Sequence, residues 1–307
     1  MEFDAKWASE VEGLADGIRL RVLEHTLSQK GGYLCQACSS AEIFAALYHG
    51  LLNLPKLDSP LSPDPWRGVP GPDNPAHTGI KFNSNGLPGY DRFILSPAQY
   101  ALVLYAALVE AHRMDEKGML DYNRDGSSVE MIGAEHSPGM EATTGSLGQG
   151  ISHASGIALA LRLKKQTGKV VVFLSDGECE SGEFWEAVQT ASFHRLDNML
   201  LIIDRNGCQC DGAMESVMNI EPFEARFRAF GCECVRIPGH DPLTLAKAVQ
   251  MPHRSKPLAV ICDTDPCHGL EFLRARRPKF HYVRFADDQE WLETKARYEA
   301  LAKERER

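Results

Sequence analysis

Apolar positions recur at helical spacing over residues 5–28, through Val11, Leu14, Ile18, Leu20, Val22 and Leu23. The same period returns over 40–52, with Ile43, Phe44, Leu47 and Leu51, and over 98–112, with Leu102, Leu104, Tyr105 and Leu108. From residue 142 the pattern changes. A Gly-rich turn at 144–150 opens an Ala- and Leu-rich helix over 151–166, followed by an unbroken apolar run at 170–174. An amphipathic helix near 183–195, a second run at 199–203, a helix near 241–250 and a third run at 258–261 complete the alternation. Short apolar strands alternating with helices predict an α/β fold, a doubly wound and mostly parallel sheet with helices on both faces.

Residues 55–90 hold eight of the 17 prolines and several glycines. Pro and Gly at that density break regular elements, so this stretch reads as a long ordered loop inserted in the fold. No linker divides the chain, which reads as one domain over 1–307 closed by a charged amphipathic helix at about 287–307.

Charge narrows the partners. There are 42 Asp+Glu against 33 Lys+Arg, a net charge of −9, which argues against nucleic acid or an anionic membrane as partner. No apolar run approaches the ~20 residues that span a bilayer. The acidic, amphipathic N-terminus resembles no export signal, so a cytoplasmic protein is expected. Of the nine cysteines only Cys35 and Cys38 have zinc-like spacing, with no second half, so the cysteines read as packing.

In a doubly wound sheet, ligands collect beyond the carboxyl ends of the strands. The run at 170–174 exits into Ser175-Asp176-Gly177-Glu178, and the run at 199–203 into Asp204-Arg205-Asn206-Gly207-Cys208. Two strand ends thereby bring a carboxylate and an amide oxygen toward one point. Such hard oxygen ligands suit Mg²⁺ or a similar ion (Ca²⁺, Mn²⁺), with phosphate oxygens completing its shell. Gly177 lets the backbone approach a phosphate, and a helix after it offers free N–H groups. The chemistry is that of a metal–diphosphate site.

Asp176-Gly177-Glu178, Trp185-Glu186-Ala187 and Asn206 together resemble the thiamine diphosphate motif. The chain more closely resembles the N-terminal part of a transketolase, through Asp91-Arg92-Phe93-Ile94-Leu95-Ser96, the run from Ser137 to Gly150 and Gly239-His240-Asp241. The resemblance implies side-chain metal ligands at Asp176 and Asn206 and a carbonyl ligand at Cys208. It puts Gly177 and Glu178 in the diphosphate motif, and Gly145 and Leu147 against the cofactor's rings. It implies that His281 contacts both diphosphate and substrate.

Departures from the family pattern are as informative. Tyr33 and Gln99 stand where the family has active-site histidines; both can hydrogen-bond, but neither shuttles protons near neutral pH. Ser181 stands where the family has the first glutamate of an inter-subunit relay, while the second is present as Glu186. In transketolases the group that activates the cofactor comes from a pyrimidine-binding domain on another subunit. The resemblance therefore implies one chain of a split transketolase, paired two-plus-two with a separate C-terminal subunit. That assembly would move a two-carbon ketol unit between sugars or sugar phosphates. The alternatives are the diphosphate-binding subunit of a 2-oxo-acid dehydrogenase and a non-catalytic cofactor-binding subunit.

Overall fold

A computed structural model describes residues 2–305. Five parallel strands, β1 (Arg92–Leu95), β2 (Val170–Ser175), β3 (Met199–Arg205), β4 (Glu233–Pro238) and β5 (Leu258–Asp263), form one sheet in the order β1-β2-β3-β5-β4. Helices α1 (Ala5–Ser28), α2 (Leu34–Ala46), α3 (Ala101–Glu110), α4 (Gly150–Leu163), α5 (Gly182–Phe193), α6 (Phe223–Ala229), α7 (Pro242–Ala248) and α8 (Asp288–Arg305) surround it.

Both faces of the sheet are buried, and strand alternation assigns each residue to one of them. Phe93, Val171, Phe173, Leu200, Ile202, Leu258 and Val260 face a core shared with α1, α2, α3 and α7. Ile94, Val170, Val172, Leu201, Ile203 and Ile261 face a second core with α4, α5 and α6. This is the doubly wound arrangement that the unbroken apolar runs predict.

The elements differ from the sequence reading in instructive ways. Helix α2 begins at Leu34 rather than near residue 40 and is buried on all sides, so no amphipathic stripe marks its first turns. It ends in a wide π turn, Leu47–Leu51, with Gly50 at φ +125. Two strands lie outside the three expected runs, the short edge strand β1 and the other edge strand β4, Glu-Cys-Val-Arg-Ile-Pro, which keeps polar residues and shows no apolar run. Residues 55–90 hold one helical turn, Gly79–Phe82, and pack through single bridges, Leu61 with Met114 and Pro65 with Ser127. The last two residues of the expected C-terminal helix lie outside the described residues. Among the described residues no helix is long and apolar enough to cross a membrane.

Register places the site. Ser175 pairs with Asp204, and Asp204 with Cys262, so the ends of β2, β3 and β5 lie level along one edge. The residues that follow, Asp176, Asn206 and Thr264, sit just beyond that edge.

Candidate cofactor site

A cavity of about 340 Å³ opens at this edge. Its lining includes Asp176, Gly177, Asn206, Cys208, Gly145, Leu147, Gln99, Tyr33 and His281. Nine of the expected site residues are thus brought together from positions as distant as 33 and 281.

Local structure explains how Tyr33 and His281 meet. Gly31–Gly32 pairs antiparallel with Val283–Arg284, which clamps the turn before α2 to the segment after Pro278. The pairing needs glycine, because a Cβ at Gly32 would lie 2.7 Å from Thr26 Oγ1. The Tyr33 and His281 rings then meet edge to face at 5.5 Å. The Gln36 amide nitrogen donates to the His281 carbonyl at 2.9 Å. Burial pushes the His281 imidazole below its usual value, with Asp211 partly offsetting it. A neutral imidazole at pH 7 follows.

Asp176, the residue after β2, is 1% exposed. Its Oδ1 accepts from the Gly177 N–H at 2.8 Å and its Oδ2 from the Gly207 N–H at 2.7 Å, so one carboxylate ties both strand exits. Burial pushes this carboxyl up to about 7, and the neighbouring Asp204 carboxylate adds to the shift. Asn206 Oδ1 accepts from the Cys208 N–H at 2.9 Å. Cys208 opens a small hairpin, Cys208–Gln209 against Gly212–Ala213, that forms one wall. Gly145 adopts φ +107, a left-handed turn that a side chain would strain. Leu147 and Ile132, more than 40% exposed, add apolar surface to the lining.

Two expected site residues lie elsewhere. Glu178 does not line the cavity: it is fully buried, and its carboxylate accepts from Ser96 Oγ at 2.7 Å and from the Ser175 and Gly148 N–H groups at 3.1 and 3.3 Å. It stitches the β1 exit, the β2 exit and the Gly-rich turn together, because three donors converge where no solvent reaches. Burial pushes its carboxyl up to about 7. Glu186 sits on the exposed side of α5, in a separate depression with Ser152, Gly156, Leu159 and Thr190. The helix expected near 183–195 forms as α5, Gly182–Phe193. A single 3₁₀ turn, Gly177–Glu180, intervenes before α5, with Asp176 capping it.

Sequence reasoning missed Gln36, Ser39, Tyr100 and Thr264, which meet the site only through tertiary contacts. No spacing signal marks them.

A divalent cation fits the donor set. Asp176 is a buried carboxylate whose direct partners are backbone N–H groups, beside the amide oxygen of Asn206. Hard oxygen donors of this kind match Mg²⁺ or Ca²⁺. A second cluster, Glu42 with His240 and His268, brings its ligand atoms within 4.8 Å of one another but suits a cation poorly. Arg19 already neutralises Glu42. His240 Nε2 accepts from the Asp265 N–H at 2.8 Å, so its Nδ1 carries the proton toward Glu42 at 2.9 Å. Burial opposes ionisation of Glu42, yet the bonds from His240 and Arg19 win and hold it at about 2. The cluster ties α1, α2 and the β4–α7 turn.

Residues 80–269 match the family model for the transketolase thiamine diphosphate binding domain, well over half of the chain. The chain belongs to the transketolase family. It is 37% identical over 281 residues to a transketolase family protein, y4mO, of Sinorhizobium fredii, covering 89% of this chain and 91% of the relative. It is 30% identical over 266 residues to the 6-deoxy-6-sulfo-D-fructose transketolase subunit SqwG of a Clostridium species, covering 86% and 87%. The fold matches the crystal structure of transketolase from Campylobacter jejuni with a TM-score of 0.67 at 22% identity. That match covers 85% of this chain but 38% of the Campylobacter protein, so this chain spans about two fifths of that length.

Proposed function

We propose that this chain is the diphosphate-binding subunit of a two-chain transketolase, moving a two-carbon ketol unit from a ketose to an aldose with thiamine diphosphate. The observation that carries the reading is the convergence of Asp176, Gly177 and Asn206 on one cavity that Leu147 and Ile132 also line. Asp176 and Asn206 would hold Mg²⁺ through side chains and Cys208 through its carbonyl, and Gly177 leaves room for the diphosphate. Gly145 and Leu147 would meet the organic rings. When bound, thiamine diphosphate supplies a nucleophilic carbon and an electron sink for breaking the bond beside a ketose carbonyl.

The chain's own groups divide the remaining work. His281, held neutral by burial, can accept a proton from a substrate hydroxyl or return it. Tyr33 and Gln99 orient hydroxyl groups without titrating near pH 7. Ile132 and Leu147 exclude water from one side. Glu186, exposed on α5, suits a contact with another subunit better than one with the cavity. The partner would carry the pyrimidine-binding and C-terminal domains, in a two-plus-two assembly in the cytoplasm. That two relatives of similar length are family members, one a named subunit, supports a split enzyme. Family membership removes the ground for a 2-oxo-acid dehydrogenase subunit.

Calorimetry with thiamine diphosphate and Mg²⁺, with and without the co-expressed partner, tests the reading together with a ketol-transfer assay. Cofactor binding by the complex is expected, with transfer only when both chains are present. Robust transfer by the purified chain alone would overturn the split; no binding in either state would overturn the cofactor site.

A further inference from the structure

Behind the cavity wall lies a carboxylate that the proposed chemistry does not use. Asp204, the last buried residue of β3 and fully inaccessible, accepts four side-chain hydrogen bonds. Ser39 Oγ of α2 donates to its Oδ2 at 2.6 Å, and the Tyr100 hydroxyl at 2.8 Å. The Asn206 amide nitrogen donates to the same oxygen at 3.2 Å, and the Thr264 hydroxyl to Oδ1. The Tyr100 hydroxyl, having given its proton to Asp204, accepts from the Asn206 amide nitrogen at 3.2 Å. Both acceptors of that nitrogen are therefore fixed, and one of them is anionic.

The consequence concerns which end of an amide faces which way. Oxygen and nitrogen of an Asn side chain are nearly the same size, so packing alone does not choose between them. Here a flipped Asn206 would set its oxygen against the Asp204 carboxylate and its NH₂ against the Cys208 N–H. Both contacts would be repulsive. We propose that Asp204, with Tyr100, is a positioning residue that locks the Asn206 amide with its oxygen as the end left for a metal ion. The proposal rests on the cofactor reading above and adds to it a residue that touches neither metal nor cofactor. Ser39 and Thr264 hold the carboxylate itself, which couples the lock to α2 and to the end of β5. Outer-shell partners of this kind orient metal ligands.

The test is Mn²⁺ binding to the complex with thiamine diphosphate present, read by electron paramagnetic resonance. Asp204→Asn replaces the anion by an amide of the same shape that can donate as well as accept, so a flipped Asn206 is no longer repelled. The expected loss of Mn²⁺ affinity is about 10- to 100-fold, with the near-ultraviolet circular dichroism unchanged. Thr264→Val, which removes only the bond to Oδ1, should weaken Mn²⁺ far less. Affinity of Asp204→Asn within twofold of the parent would overturn the lock; so would an equal loss in Thr264→Val, since that would be general loosening. Should Asp204→Asn fail to fold, Tyr100→Phe decides, because it removes the second acceptor with little change in shape. Weaker Mn²⁺ in that variant supports the lock, and parental affinity overturns it. Absence of Mn²⁺ binding by the parent complex would instead overturn the cofactor reading, and the lock with it.

Discussion

Replacing Gly32 by alanine puts one methyl group where there is no room for it, between the strand Gly31–Gly32 that leads into Tyr33 and the last turns of α1. The added Cβ would lie 2.7 Å from Thr26 Oγ1 and 3.4 Å from Thr26 Cβ. Thr26 is fully buried, and its hydroxyl is pinned at 2.7 Å to the Val22 carbonyl, so it does not swing aside as a long side chain would. Restoring ordinary contact requires the strand to retreat by roughly 0.7–1 Å. Overpacking of this size costs about 1–3 kcal/mol. The retreat would also strain the two-residue ladder to Val283–Arg284, and with it the Tyr33–His281 contact. Urea denaturation of Gly32→Ala, Thr26→Ala and the double variant measures both effects, alongside calorimetry with thiamine diphosphate. Thr26→Ala alone should cost about 0.5–1.5 kcal/mol for its hydrogen bond, yet it vacates the space that the new methyl group needs. The double variant should therefore be more stable than additivity allows, by about 0.5–3 kcal/mol, with cofactor affinity partly restored. Full additivity, or a Gly32→Ala protein as stable as the parent, would refute the packing argument.

Other perturbations probe other links. Asp176→Ala removes the carboxylate that bonds to both strand exits and should abolish metal-dependent cofactor binding in calorimetry; unchanged affinity refutes its assignment as a ligand. Glu178→Gln turns one acceptor end into a donor facing a donor, costing about 1–3 kcal/mol in denaturation midpoints, and a parental midpoint would show that the three contacts do not depend on charge. His25, packed edge to face on Tyr122 at 4.2 Å, is held down at about 4 by burial. Its folded value is depressed, so its neutral form is no burden above pH 6.5, and stability falls as pH drops from 6.5 to 4. The loss approaches roughly 3 kcal/mol, and His25→Leu should flatten that part of the stability–pH curve; an unchanged slope would locate the effect elsewhere.

What the sequence makes legible here is whatever has a period or a terminus. Unbroken runs such as 170–174 and 199–203 read as buried parallel strands, and the polar residues at their exits read as ligands because chain direction fixes that edge. Glu178 shows the limit. It belongs to the same tripeptide as Asp176 and Gly177, but the 3₁₀ turn rotates it into the protein, toward Ser96 and Gly148 from two other loops. Neither loop is near it in sequence. Both edge strands escape for a related reason: β1 is only four residues long, and β4, with Glu233 and Arg236 on it, lacks the apolar run that marks β2, β3 and β5. Tyr33 and His281 were matched by likeness to a family, and their contact depends on a two-residue ladder too short to leave any pattern.

The carboxyl edge of the sheet also implies an unusual relation between stability and binding. Asp176, Glu178 and Asp204 are all buried there, none has a Lys or Arg among the described residues in direct contact, and burial raises all three carboxyls. Hydrogen bonds from backbone and hydroxyl groups satisfy them without neutralising them. Buried charge without a counter-charge is costly, so the unliganded fold carries at Asp176 an expense that a dication would relieve. Removing the carboxylate should therefore cost the apoprotein less than loss of its two hydrogen bonds would by itself, since the buried charge leaves with them. It should nevertheless erase the gain in stability that ligand brings to the parent, about 2.7 kcal/mol at a hundredfold excess over Kd. Denaturation of parent and Asp176→Ala, each with and without Mg²⁺ and thiamine diphosphate, separates the two effects. A variant crippled without ligand, or one still stabilised by it, would mean that Asp176 serves the fold rather than the metal.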